Sequence, residues 1–163
     1  MTCHFRGSPV RISAEAVILL GLSLGGMSVA PALAADGSAA DVGVKAFEEI
    51  CLASAPSFAN GTQLAKKYGV ETWLPLGKEK MGMTKDQSLS VQIQPGKECA
   101  ITTKTRPGPA VHTQFMNAVI GATKSTAITE RTSTPFVLAV GGKKFIFKHD
   151  RSGGEAYVML SKD

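Results

Sequence analysis

The chain has 163 residues, 44% of them hydrophobic and only 6% aromatic, with 18 Lys/Arg against 13 Asp/Glu. That length carries one domain with a proper core. The basic residues are scattered, as at Lys66-Lys67, Lys78, Lys80 and Lys143-Lys144, without aromatic interleaving, which excludes the clustered stripe of a nucleic-acid binder and reads as a solvated surface.

Residues 1–34 read as an address. Arg6 and Arg11 precede an apolar run at 16–29, and Ala32 and Ala34 supply the small-residue pattern of signal-peptidase cleavage. The run is shorter than the roughly 20 residues of a spanning helix and is loosened by Gly21, Gly25 and Gly26. Position 35 is Ala rather than Cys, which gives no lipid-anchored mature end, and the arginines are not adjacent, which argues against a twin-arginine route. The expectation is a secretory signal at 1–34, a flexible leader at 35–40 and one domain at 41–163, periplasmic or secreted. Arg6, Arg11 and Glu15 leave with the signal, so the mature part keeps 16 of 18 Lys/Arg and 12 of 13 Asp/Glu, a surplus of +4. Cys3 also leaves. Cys51 and Cys99 remain in a chain bound for an oxidising compartment, and their spacing fits neither a zinc pattern nor a C-x-x-C redox motif. They are expected to form one structural disulfide, worth roughly 4 kcal/mol in the loop-entropy model before strain is deducted.

Asp41 is a fair N-cap for a first helix in which Val44, Phe47, Ile50 and Cys51 form the apolar side, with Lys45, Glu48 and Glu49 on the other. Pro56 ends it. A second helix is expected over 57–68, closed by Gly69. Phe47, Cys51, Pro56 and Phe58 make an F-x-x-x-C-x-x-x-x-P-x-F stretch that resembles the N-terminal helix of small secreted proteins of proteobacteria. The resemblance covers about 25 residues. It implies a cysteine-bearing helix followed by a short second one, and it carries no activity to this chain.

Residues 70–87 are the least patterned, because Pro75, Gly77 and Gly82 interrupt the apolar positions. Trp73, the single tryptophan, is expected to roof the core. The stretch 88–103 then reads as a hairpin: Leu89, Val91 and Ile93 alternate with polar residues, Pro95-Gly96 turns the chain, and Cys99, Ile101 and Thr103 return on the inward face. This hairpin is the sheet centre to which the disulfide ties the first helix. After the rigid break at 106–109 comes a third helix with Val111, Phe115, Ala118 and Val119 on one face and Gly121 at its end. Residues 123–134 read as loop, with a short strand at 127–131. The clearest hairpin follows, two apolar runs flanking Gly141-Gly142, and a last strand, EAYVMLS. Phe136, Leu138 and Val140 are expected in the core, with Phe145 and Phe147 sharing one face. The fold class is therefore α+β: an antiparallel sheet of about five strands (a hairpin plus a three-strand meander), two N-terminal helices, one middle helix and one helix–sheet disulfide.

Groups for chemistry are few. There is no G-x-S-x-G elbow and no phosphate-cradling loop, and Glu48-Glu49 diverge on an exposed helix side. A small hydrolase would need His112 and His149 to meet; His149-Asp150 otherwise reads as a surface turn. Thioethers bind Cu(I) in oxidising compartments, and Met81 and Met83 would place two sulfurs on one side of an extended segment, while His112 and Met116 stand four apart on the third helix. The alternative has Met116 and Met159 filling core gaps. The Ser152-Gly153-x-x-x-Tyr157 loop resembles the serine–glycine loops of bacterial lysozyme inhibitors, whose remaining signature is missing here. No acid, base, nucleophile and metal set converges. The expectation is a non-catalytic binding or accessory protein with no cofactor, an envelope protein as its partner, no nucleic acid and no membrane span.

Overall fold

A computed structural model describes residues 41–104 and 108–163. The signal and leader expected at 1–40 lie outside the described residues. The first helix, α1 (Val42–Ala46), is capped by the Asp41 side chain, which accepts from the Gly43 and Val44 amides. It runs straight into a π-helical turn (Phe47–Leu52), in which Ile50, Cys51 and Leu52 are all buried. Three consecutive positions are buried because the turn is packed by two further helices as well as by the sheet. The next helix, α2 (Gly61–Ala65), closes in a 3₁₀ turn (Lys66–Tyr68) with Gly69 in the left-handed region. It starts four residues later than the expected position 57, because Phe58 takes a positive φ of 55° that no right-handed helix admits.

Seven strands form one antiparallel sheet: β1 (Thr72–Leu76), β2 (Glu79–Met83), β3 (Leu89–Gln94), β4 (Glu98–Thr103), β5 (Phe136–Val140), β6 (Lys143–Asp150) and β7 (Glu155–Ser161). Their order is β1-β2-β3-β4-β7-β6-β5, two meanders joined at β4 and β7. The helix α3 (Ala110–Thr123) carries the chain from one meander to the other. It runs past Gly121 to Thr123 and closes at Lys124 in the left-handed region. The expected strand at 127–131 is a turn instead.

Two strands more than expected come from β1 and β2. Pro75 and Gly82 read as breakers, yet each suits its position. Pro75 lies on the edge strand, where a missing amide removes no ladder bond on the open side. Gly82 pairs with Trp73, and a Cβ there would lie 2.5 Å from Val70 Cγ1 and 3.0 Å from Trp73 Cδ2. The indole occupies the space that glycine leaves.

All helices pack on one sheet face, α1 against β4 and β7, α2 against β3, α3 against β5. Leu89, Val91, Ile93, Cys99, Ile101, Phe145, Phe147, Tyr157 and Met159 are buried on that face, in the expected register. Phe136, Leu138 and Val140 point the same way but are only half-buried, because β5 is an edge. Cys51 of the π turn is bonded to Cys99 of β4, with Cα atoms 5.5 Å apart and both residues fully buried. That bond lies across the centre of the helix–sheet interface, where losing a native disulfide costs about 2–5 kcal/mol.

Candidate functional site

The inward face of the second meander ends in polar residues. Alternation along β6 turns Phe145, Phe147 and His149 toward the helices and sends Lys148 and Asp150 to the other side. The same period along β7 turns Glu155, Tyr157 and Met159 inward. His149 and Tyr157 are register partners, so Glu155 lies diagonally beside His149. His149 is therefore a core residue of β6 rather than part of a surface turn.

A continuous polar chain results. The Glu155 carboxylate meets His149 Nε2 through one oxygen at 2.6 Å and accepts from Arg151 Nε through the other at 2.8 Å. The side chains of His149 and Glu155 are 1% and 0% exposed; Arg151 remains 43% exposed. On its other side His149 Nδ1 lies 3.0 Å from His112 Nδ1 of α3. The two rings are within 10° of coplanar with centroids 5.3 Å apart, a separation that exceeds the nitrogen–nitrogen distance by about one ring diameter. The rings thus meet edge to edge, the geometry of an N–H···N hydrogen bond rather than of stacked faces. His112 Nε2 in turn lies 3.1 Å from the carbonyl of Thr132. The His149 ring is flanked by Tyr157 and Phe115 at centroid distances of 5.0 and 5.6 Å. Tyr157 donates to Asp41, the cap of α1, and its phenol is held well above its ordinary range by burial and the nearby carboxylates. Burial pushes the His149 imidazole below its ordinary range, opposed by the bond to Glu155. No buried side-chain polar atom among the described residues lacks a partner.

The structure thus brings His112 and His149 together, as a hydrolase requires, but no nucleophile among the described residues is bonded to either ring. Both nitrogens of His112 are engaged, by His149 and by a backbone carbonyl. The Thr134 hydroxyl donates to the backbone carbonyl of His149, not to its ring. Both cysteines among the described residues are in the disulfide. The copper candidates separate: Met116 is fully buried in the core, Met81 and Met83 lie on β2 on the face away from the helices, and His112 lies on the helix side. No group of three His, Cys, Asp or Glu residues among the described residues converges for a metal. Tyr157, the last position of the lysozyme-inhibitor-like pattern, is fully buried and Gly154 is buried too, so only Ser152 and Gly153 of the turn are exposed.

Glu155 escaped sequence reading, although its signal was present. The alternation of EAYVMLS places it on the face of Tyr157 and Met159, and a carboxylate on a core face must find cationic or donor partners. His149 and Arg151 were the nearest ones.

At the opposite end of the sheet the polarity is reversed. Leu74, Leu76 and Met83 on the outer face of β1 and β2 are 51%, 49% and 37% exposed, with Met81 paired to Leu74 between them. A groove of about 250 Å³ runs along Thr72, Leu74, Met81 and Met83. On the helix side, Trp73 both packs against the core and lines a second groove of about 270 Å³ with Thr62, Pro75 and Lys80. No helix among the described residues is long and apolar enough to cross a membrane.

Compared with known proteins, the chain matches no family model, no curated protein and no solved structure.

Proposed function

We propose that this chain is an exported, non-catalytic binding or accessory domain that meets an envelope protein through its β1–β2 hairpin. The observation that carries the reading is the concentration of exposed apolar side chains there: of five large exposed hydrophobic residues among the described ones, Leu74, Leu76 and Met83 share this hairpin. Contiguous exposed apolar surface is characteristic of protein contact. The buried disulfide is compatible with an oxidising location. Catalysis is the second reading, favoured by the 3.0 Å contact between His112 and His149. Against it stand the burial of His149 and Glu155 and, among the described residues, the absence of a nucleophile bonded to the pair.

A photo-crosslinking residue placed at Leu74 in the full chain, expressed in its own cells, tests the binding surface. Position 74 is expected to give one or a few discrete adducts, and the same residue at Ala139 on the far edge none. Equal adduct patterns from both positions, or none from 74, would remove the hairpin from the reading. Intact mass of the envelope-fraction protein is expected to show a chain beginning at Ala35; retention of Met1 would remove export.

A further inference from the structure

The polar chain in the second meander has a proton count that its geometry dictates. Three links run from Glu155 to His149, from His149 to His112, and from His112 to the Thr132 carbonyl. Each link requires one proton, and the two ends of the chain, a carboxylate and a carbonyl, are acceptors. Two neutral imidazoles beside an ionised carboxylate supply two protons. The complete chain therefore holds a third. Arg151, donating to the second carboxylate oxygen, favours the ionised form of Glu155 and leaves the extra proton on the histidine pair. Burial of His149 disfavours charge on that ring. The assignment is then His149 Nε2–H to Glu155, His112 Nδ1–H to His149 Nδ1, and His112 Nε2–H to Thr132.

We propose that Glu155, His149 and His112 form a single-proton latch that fastens α3 to β6 and to the loop at 124–135, complete only while the pair holds one proton beyond two neutral rings. Removing that proton leaves His112 one N–H for two acceptors. The His149 nitrogen is buried and has no water to replace the donor, whereas Thr132 is only half-buried. His112 keeps His149, and the Thr132 carbonyl is released. Adding a second proton instead sets N–H against N–H at 3.0 Å, and the link between α3 and β6 opens. The latch thus has two exits: the loop opens on the alkaline side, the helix on the acid side.

The charged and titratable groups around the pair are few. Glu155 and Tyr157 face it from β7, Arg151 from the turn, and Asp41 reaches it through the Tyr157 hydroxyl. Glu130 and Arg131 of the loop are exposed, and Lys148 and Asp150 of β6 point to the other sheet face.

Long-range ¹H–¹⁵N spectra of the full chain labelled at histidine test this, with His4 assigned by His4→Gln and His112 by His112→Asn. In the latched state one ring is expected with both nitrogens protonated and its partner neutral, with the proton on Nε2. Raising the pH until the doubly protonated ring disappears is expected to lower the protection factors of the Thr129 and Thr132 amides, each taken relative to intrinsic exchange at that pH, roughly tenfold, the scale of one lost hydrogen bond, while those of β3 and β4 stay unchanged. In His112→Asn the Thr129 and Thr132 amides are expected to show the lower protection factor at every pH. Two neutral rings throughout the range in which those amides remain protected, or amide protection indifferent to ring protonation, would overturn the latch. The wild-type spectra decide the matter even if a substitution fails to fold.

Discussion

The two meanders of the sheet invert the usual rule in opposite directions. At β1 and β2, apolar Leu74, Leu76 and Met83 face solvent; at β6 and β7, ionisable His149 and Glu155 are sealed inside. The difference lies in what covers each meander. The inward row Trp73–Gly82–Val91–Ile101–Tyr157–His149 crosses the sheet from β1 to β6, and α1 and α3 close over its second half. Under that cover a carboxylate must be bonded at every oxygen, and Glu155 is. At β1, among the described residues, no strand lies beyond the edge and no helix packs on the outer face, so Leu74, Leu76 and Met83 remain exposed. Buried polarity therefore reads as internal fastening, and exposed apolarity as a contact surface.

Glu155→Ala breaks the comparison hardest. It strips His149 of its partner inside the core and is expected to lower unfolding free energy by about 3 kcal/mol in denaturant titration. Arg151→Ala leaves Glu155 and its bond to His149 in place but takes the donor from one buried carboxylate oxygen, and is expected to lose less, about 1–2 kcal/mol. Similar losses from both would mean that burial does not set the strength of this chain.

Gly82→Ala tests the first meander. The added methyl meets Val70 and Trp73, and a loss of about 1–3 kcal/mol is expected, with the indole displaced outward. Because Trp73 is the single tryptophan, its emission should shift to longer wavelength in the folded variant. Unchanged emission at unchanged stability would mean that the indole does not seat on Gly82.

Above the carboxylate range, the pH dependence should belong to the second meander and the helix over it, which carry both histidines among the described residues. Burial lowers the folded pKa of His149, so the unfolded chain takes up this proton more readily. Stability from this residue is present above the ordinary histidine value of about 6.5 and declines as pH falls through and below it. His149→Gln is expected to flatten that acid limb in thermal melts at successive pH values. Persistence of the full limb in the variant would assign it to other groups.

The smallest effect is expected at Leu74→Ser on the outer face, within about 0.5 kcal/mol of the parent. The same substitution is expected to abolish the cross-links formed from a probe at Met83. A loss of several kcal/mol would show that the hairpin surface serves the fold rather than a partner.

Much of the core was legible from local pattern. The period of two in LSVQIQ and KKFIFKHD put Val91, Ile93, Phe145 and Phe147 inward, and the helical spacing of Val44, Phe47 and Cys51 aimed the cysteine at the sheet. The two missing strands were not legible, because Pro75 and Gly82 oppose strand formation locally and are tolerated only at an edge and beneath an indole. The polar chain was half legible: His112 and His149 were named as a pair, while Glu155 and the Thr132 carbonyl that complete it were not.

By itself the sequence determined the class of fold and the faces of the central strands, and it aimed Cys51 and Cys99 at one interface, since each follows from side-chain periodicity within one element. Tertiary structure alone decided which strands are edges, what covers each face, and that residues 112, 132, 149, 151 and 155 meet in one hydrogen-bonded chain. Those depend on contacts between elements distant in sequence, where α3 crossing over the second meander turns a solvated histidine into a buried one.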